Sequence, residues 1–140
     1  MADLKSFFAE NAIKADNVKY VASKRFTEKN EPVEWELQVV SNDDIERIRK
    51  SCTRSKFNPK TKEYNTSFDS SQFNNAMVCA SVVFPDLDDA ALQDSYGVIG
   101  AEELIRKMLT PGEYTDLIAA VSETCGFQSD MADKIKTAKN

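Results

Sequence analysis

The tetrapeptide Thr110-Pro111-Gly112-Glu113 is the strongest local constraint in this 140-residue chain. Thr110 offers a side-chain oxygen to an orphan backbone N–H at a helix start. Pro111 suits the first helical position, where its missing N–H costs nothing. Glu113, three residues after the cap, reaches back to the cap's own N–H. The helix that begins here carries Tyr114, Leu117, Ile118, Val121 and Cys125 on one face, at i, i+3, i+4, i+7 and i+11. Gly126 stands where a left-handed cap closes it. Such a stripe must lie against another apolar surface to be stable.

That surface is a sheet. Val33, Trp35, Leu37 and Val39 alternate with Glu34, Glu36 and Gln38, the period of two that marks a half-buried strand. An earlier strand-like run, Val18-Lys19-Tyr20-Val21-Ala22-Ser23, is separated from it by the polar, turn-prone Thr27-Glu28-Lys29-Asn30-Glu31-Pro32. The two runs predict a hairpin with a longish loop. Before them, Asp3 caps a short helix with Leu4, Phe7 and Phe8 on one face.

After them, Ser41 caps a helix with Ile45, Ile48 and Cys52 as its buried stripe, and Asp43 and Asp44 suit its positive end. From Arg54 to Phe68 the chain turns polar, with Asn58-Pro59 as a turn signal. The alternation of Tyr64, Thr66 and Phe68 allows one added strand. Asp69 or Ser70 caps a helix bearing Phe73, Met77 and Ala80 that ends before Pro85. Residues 86–93 form a short helix, Gly97 and Gly100 bracket a turn, and 101–109 is helical with Leu104, Ile105, Met108 and Leu109 inward. The fold class is α+β: a small antiparallel sheet from the N-terminal half, packed by helices, with a mostly helical C-terminal half. One domain spans residues 1–140. Residues 127–140 add a final helix, packed on the core or projecting from it.

Val, Leu, Ile and Phe make up 32 of the 140 residues, about 23%, above the level at which disorder is expected. There is no His, which removes Ser-His-Asp and Cys-His catalysis and imidazole zinc sites. Cys52, Cys79 and Cys125 form no Cys-x-x-Cys pair and read as inert buried thiols. Asp86, Asp88, Asp89 and Asp94 fail the EF-hand pattern, because Ala91 and Gly97 stand where Gly and Glu are required. No Gly-rich phosphate loop exists. No catalytic, cofactor or metal site is therefore expected, and the chain is not read as an enzyme. No stretch approaches the 18 apolar residues of a membrane span. The N-terminus is too acidic for a signal peptide, which points to the cytoplasm.

Two features bear on partners. Residues 47–62 hold seven basic side chains and no acidic one: Arg47, Arg49, Lys50, Arg54, Lys56, Lys60 and Lys62. With Phe57 and Tyr64 nearby, they suit a nucleic-acid patch, a solvated face, or a dock for an acidic surface, including that of a second copy. Net charge is −5 and the pI near 4.8, so specific nucleic-acid binding is not expected. At the C-terminus, Phe127, Met131 and Ile135 recur every four residues, an apolar stripe that either packs on the core or grips a partner helix.

Several motifs occur in order: Ser23-Lys24-Arg25-Phe26 before the Trp strand, an acidic helix start, Val83-Phe84-Pro85-Asp86-Leu87, then Gln93-Asp94-Ser95-Tyr96-Gly97-Val98 running into residues 104–114. This set resembles the XkdN-like phage tail assembly chaperone family over residues 4–126. The resemblance implies a non-enzymatic protein in the bacterial host cytoplasm. It would coat the tape measure protein, a long, largely helical, apolar-striped chain, and keep it soluble until tail tube subunits polymerise around it. It also implies that such genes make a longer product by minus-one ribosomal slippage. Slippery sites of the form A AAA AAC or A AAA AAU read in frame as a codon ending in A, then Lys, then Asn, and this sequence reads Ala138-Lys139-Asn140. We expect the coding sequence here to be an Ala codon ending in A, then AAA, with an open minus-one frame beyond. Nucleotide sequencing decides it, and an AAG codon for Lys139 removes the expectation.

Overall fold

The computed structural model describes residues 3–127. A three-stranded antiparallel sheet, in the order β1-β4-β7, organises the chain. It is built from β1 (Val18–Tyr20), β4 (Trp35–Leu37) and β7 (Val82–Phe84). The predicted hairpin is β1 against β4, with Val18 opposite Leu37 and Tyr20 opposite Trp35. The turn-prone linker is itself a miniature hairpin, β2 (Thr27–Glu28) against β3 (Glu31–Pro32). Lys29 and Asn30 take left-handed φ values of 51° and 66° at its tip, the conformation a two-residue turn between twisted strands requires.

Alternation puts Trp35 and Leu37 on one face of the sheet and Glu36 on the other. Trp35 is 1% exposed and Leu37 0%. Glu36 instead meets the Lys19 ammonium at 3.1 Å on the opposite face. Three helices cover the apolar face. These are α2 (Ser70–Ser81), α4 (Ala101–Met108) and α5 (Pro111–Thr124). They bring Val78, Leu104, Ile105, Met108, Leu117 and Val121 into one core with Trp35 and Leu37. A smaller cluster joins α1 (Asn42–Ser51) to α2 through Val40, Ile45 and Met77. The short α3 (Ala90–Ser95) leads to Gly97 and Gly100, both at positive φ.

The caps form as the sequence dictates. Ser41 Oγ accepts from the Asp44 N–H at 3.1 Å. Asp69 and Asp89 cap α2 and α3 in the same way. Thr110 and Glu113 complete their capping box. At the other end of α5 the Phe127 N–H donates to the Ser122 carbonyl at 2.9 Å and the Gly126 N–H to Glu123 at 3.0 Å, the double closure that a left-handed glycine permits.

Four details depart from the sequence reading. The first helix is a single 3-10 turn, Leu4–Phe7, and its apolar face is not buried, with Leu4 70% and Phe7 73% exposed. The polar stretch after α1 contains two strands rather than one, β5 (Thr53–Asn58) and β6 (Glu63–Phe68). Val82–Phe84 forms the edge strand β7, hidden in the sequence behind the apolar residues of α2. The helix expected over residues 86–93 starts four residues later, because Asp89 and not Asp86 caps it.

Arg25 and Glu113 clasp the sheet to the α4–α5 corner. The Arg25 guanidinium donates to the Met108 carbonyl at 2.8 Å and to Glu113 Oε1 at 2.7 Å. The same carboxylate oxygen accepts from the Thr110 N–H at 2.9 Å. Hydrogen bonds from Arg25, the Ser23 hydroxyl and the Thr110 backbone hold the Glu113 carboxyl down at about 2, from an ordinary 4.5. A carboxyl depressed in the folded state stabilises it fully above its unfolded value and loses that effect as pH falls through the folded one. The melting temperature of the wild type should therefore exceed that of Glu113→Gln near pH 7, with the gap closing between pH 4.5 and 2. A constant gap over that range, by calorimetry, would contradict the clasp.

Candidate partner-binding surface

The β5–β6 hairpin runs in unbroken register from Thr53 opposite Phe68 to Asn58 opposite Glu63. Alternation sorts its side chains onto two faces. One face carries Ser55 and Phe57 from β5, with Tyr64, Thr66 and Phe68 from β6. The reverse carries Arg54 and Lys56, with Asn65 and Ser67. Phe57 and Tyr64 pair across the strands, with ring centroids 5.2 Å apart. Ser55 and Thr66 hydroxyls lie 3.4 Å apart below them. At the root, Phe68 meets Phe73 of α2 at 5.5 Å. The root itself is tied down, since the Asp69 N–H donates to the Cys52 carbonyl at 2.9 Å and Thr53 Oγ1 to the Arg49 carbonyl at 2.8 Å.

Among the described residues, no element covers the aromatic face of this hairpin. Phe57 is 47%, Phe68 49% and Tyr64 72% exposed. Phe73 continues the aromatic line to a small cleft of about 30 Å³ between α2 and α5, which Met77, Ile118 and Phe127 also line. Phe127 is 58% exposed at its mouth. Elsewhere, a cleft of about 410 Å³ opens beside β1, lined by Val18, Tyr20, Leu37, Ala120, Glu123 and Thr124. Burial, and then the nearby Asp116 carboxylate, raise the Tyr20 hydroxyl above its usual value.

The basic stretch is divided by the fold. Arg47 pairs with Asp44 at 3.0 Å and Arg49 with Glu46 at 3.2 Å along α1. Arg49 also lies 5.9 Å from the Phe73 ring centroid. Lys50 sits in the last turn of α1, where a cation suits the helix end. Arg54 and Lys56 are on the reverse of the hairpin, and Lys60 lies in the turn at its tip. The seven charges therefore form no single field, since the acids that offset Arg47 and Arg49 lie just upstream of the basic window. Of the predicted apolar stripe, Phe127 is placed as above, and Met131 and Ile135 lie outside the described residues.

The cysteines are in packed positions. Cys52 is 1% exposed. Cys79 and Cys125 are half-buried, and burial pushes the Cys79 thiol up to about 12. Two acidic groups of residues 86–94 act as local caps: Asp86 accepts from the Asp88 N–H at 3.0 Å and Asp89 from the Leu92 N–H at 2.8 Å. Among the described residues, no group of three His, Cys, Asp or Glu is placed to hold a metal ion, and no helix is long and apolar enough to cross a membrane.

These elements make an α+β body with helices on one sheet face and an exposed aromatic hairpin. The chain belongs to the tail assembly chaperone family: the model described as phage XkdN-like tail assembly chaperone protein matches residues 4–139. It is 28% identical to the phage-like element PBSX protein XkdN of Bacillus subtilis (strain 168), over 99% of this chain and 94% of that one. It is 27% identical to the uncharacterized protein YqbN of the same organism, over 99% and 93%. The crystal structure of YqbN superposes with a TM-score of 0.76 at 23% identity, covering 91% of this chain and 99% of that one.

The divided charge generates a prediction. With Arg47 and Arg49 paired and the chain at net −5, gel shifts at physiological salt should show no saturable sub-micromolar binding to single- or double-stranded DNA or RNA. Such binding, weakening steeply with added salt, would reverse the assignment.

Proposed function

We propose that this chain binds the tape measure protein in the bacterial cytoplasm and keeps it soluble until tail tube subunits polymerise around it. Membership of the tail assembly chaperone family supports the general role. The observation that carries the specific one is the uncovered aromatic surface, from Tyr64 and Phe57 through Phe68 to Phe127, on a chain of net charge −5. Contiguous exposed apolar surface marks an interaction site. Covering an apolar-striped helical chain with this surface removes its sticky face from water. The acidic remainder of the chaperone adds repulsive charge to the complex. The reading invokes no catalytic group.

Phe127 opens an apolar stripe that the sequence continues with Met131 and Ile135. In this reading the stripe contributes contacts to the client. Basic residues Arg47, Arg49, Lys50 and Arg54 contribute to orientation at the rim, where charge affects encounter rate and register more than affinity.

Co-expression of the chain with a tape measure protein, followed by pull-down from the soluble fraction, tests the proposal. The client should be soluble and captured with the chaperone, and insoluble without it. Truncation after Gly126 should leave a folded protein that captures the client at least about tenfold less, the scale of losing one or two buried apolar anchors. Undiminished capture by the folded truncation would remove the stripe from the interface. Global unfolding of the truncation would mean that residues 127–140 pack on the core.

A further inference from the structure

We propose that the outer edge of β5 is a docking site for an extended partner segment that alternates apolar and acidic residues. The inference rests on the chaperone reading only for the identity of the client.

The argument begins with a deficit. A two-stranded ribbon is marginal in water, and three strands or a covering helix are usually needed. Among the described residues the β5–β6 sheet has two strands, and its aromatic face is exposed. A strand added at an edge supplies what is missing. It pairs with the backbone N–H and C=O groups that point away from the partner strand, and its alternate side chains extend both faces. Charge selects between the edges. β5 carries Arg54 and Lys56 on one face and Phe57 on the other, whereas the corresponding face of β6 begins with Glu63. The four residues 54–57 in the middle of β5 are all exposed.

The two faces of β5 then specify the partner. A strand beside β5 must place apolar side chains next to Phe57 and acidic ones next to Arg54 and Lys56, so its pattern must have period two. A helix laid on the hairpin would meet one face only. Basic residues on an edge strand also oppose pairing with a like strand. A second copy of this hairpin would bring Arg54 and Lys56 against their equivalents, so the charges that exclude self-pairing admit an acidic strand. The hairpin residues 53–68 hold four basic side chains and one acidic in a chain of net charge −5, so this is where an acidic segment meets attraction.

The test uses the intact 140-residue chain and a labelled six-residue peptide, acetyl-(Val-Glu)₃-amide, matched to the length of β5. Fluorescence anisotropy should show saturable binding. Reordering the same residues to helical spacing, or N-methylating alternate peptide bonds, should weaken it by about tenfold or more. So should the double variants Arg54→Glu/Lys56→Glu and Phe57→Ser/Tyr64→Ser, given the size of cross-strand pair energies. Far-UV circular dichroism and melting temperature report that each variant is folded, and the peptide variants carry the test independently of them. Absent binding, equal binding of the reordered peptide, or binding unchanged in both double variants overturns the proposal. So does saturable single-stranded DNA binding that Arg54→Glu/Lys56→Glu abolishes, which would assign the basic face to nucleic acid. Two further outcomes separate this inference from the chaperone reading. Peptide binding without capture of the tape measure protein supports the edge site and removes that client. Full capture by Arg54→Glu/Lys56→Glu, with capture lost in Phe57→Ser/Tyr64→Ser, overturns a role for the edge in client binding while the chaperone reading stands.

Discussion

Burial of Trp35 and Leu37 against three helices is the constraint on which the rest of the structure depends. The strands of the central sheet are only three residues long, and a sheet this small has few ladder hydrogen bonds. Its stability comes from one face. Trp35 and Leu37 are almost wholly removed from water, and Leu104, Ile105 and Leu117, each 0% exposed, close over them. Fully burying one such aliphatic side chain contributes roughly 1.5–3 kcal/mol, whereas a domain's net stability is about 5–15 kcal/mol. Losing two of these side chains would remove a substantial part of that margin. All three covering helices must therefore lie on the same face. The opposite face is left to the Lys19–Glu36 ion pair and to Phe84, 52% exposed.

The motifs that carry the family resemblance brace this arrangement. Ser23 and Arg25 lock the end of β1 to the α4–α5 corner through Glu113. Gln93 does the same for the loop after α3: its amide donates to the Leu87 carbonyl at 2.9 Å and its Oε1 accepts from the Gly100 N–H at 3.0 Å. Asn75, 1% exposed, ties α2 to the α4 start by donating to the Glu102 carbonyl. Ser81 ties the other end of α2 to the Gln38 carbonyl at 2.8 Å. These polar groups are spent on the fold. Exposed apolar side chains stand elsewhere, among them those of the β5–β6 hairpin, Leu4 and Phe7 of the N-terminal turn, and Phe127.

What the sequence made legible follows from how local each signal is. The caps at Ser41, Asp69 and Thr110 are short-range, and every one formed. The Val33 to Val39 alternation found the buried strand, although only Trp35–Leu37 is paired, because Val39 sits past the last ladder position and is 41% exposed. β7 was illegible because Val82, Val83 and Phe84 continue the apolar residues of α2 without a break, and only pairing with β4 decides where helix becomes strand. β5 was illegible for another reason. Its alternation sets Thr, Ser and Phe against Arg, Lys and Asn, too polar to read as a buried face, and it is strand only because β6 folds back on it. The basic window was read whole because Asp44 and Glu46 fall just outside it, yet helical spacing of three residues already pairs them with Arg47 and Arg49.

The blind spot at β5 bears on function. A strand that owes its conformation to a single neighbour, with no core beneath it, is held by little beyond ladder hydrogen bonds and cross-strand pairs worth roughly 0.2–1 kcal/mol each. Elements of that kind open at low free-energy cost. Under the proposed chaperone role this is an advantage. A client held mainly by the hairpin and the Phe127 corner can be released without disturbing the Trp35 core. The growing tail tube would then need to outcompete only a modest interface. A chaperone that gripped through its core would trade its own stability for binding. This one keeps the two apart, with the buried face of the sheet providing stability and the uncovered hairpin available for contact.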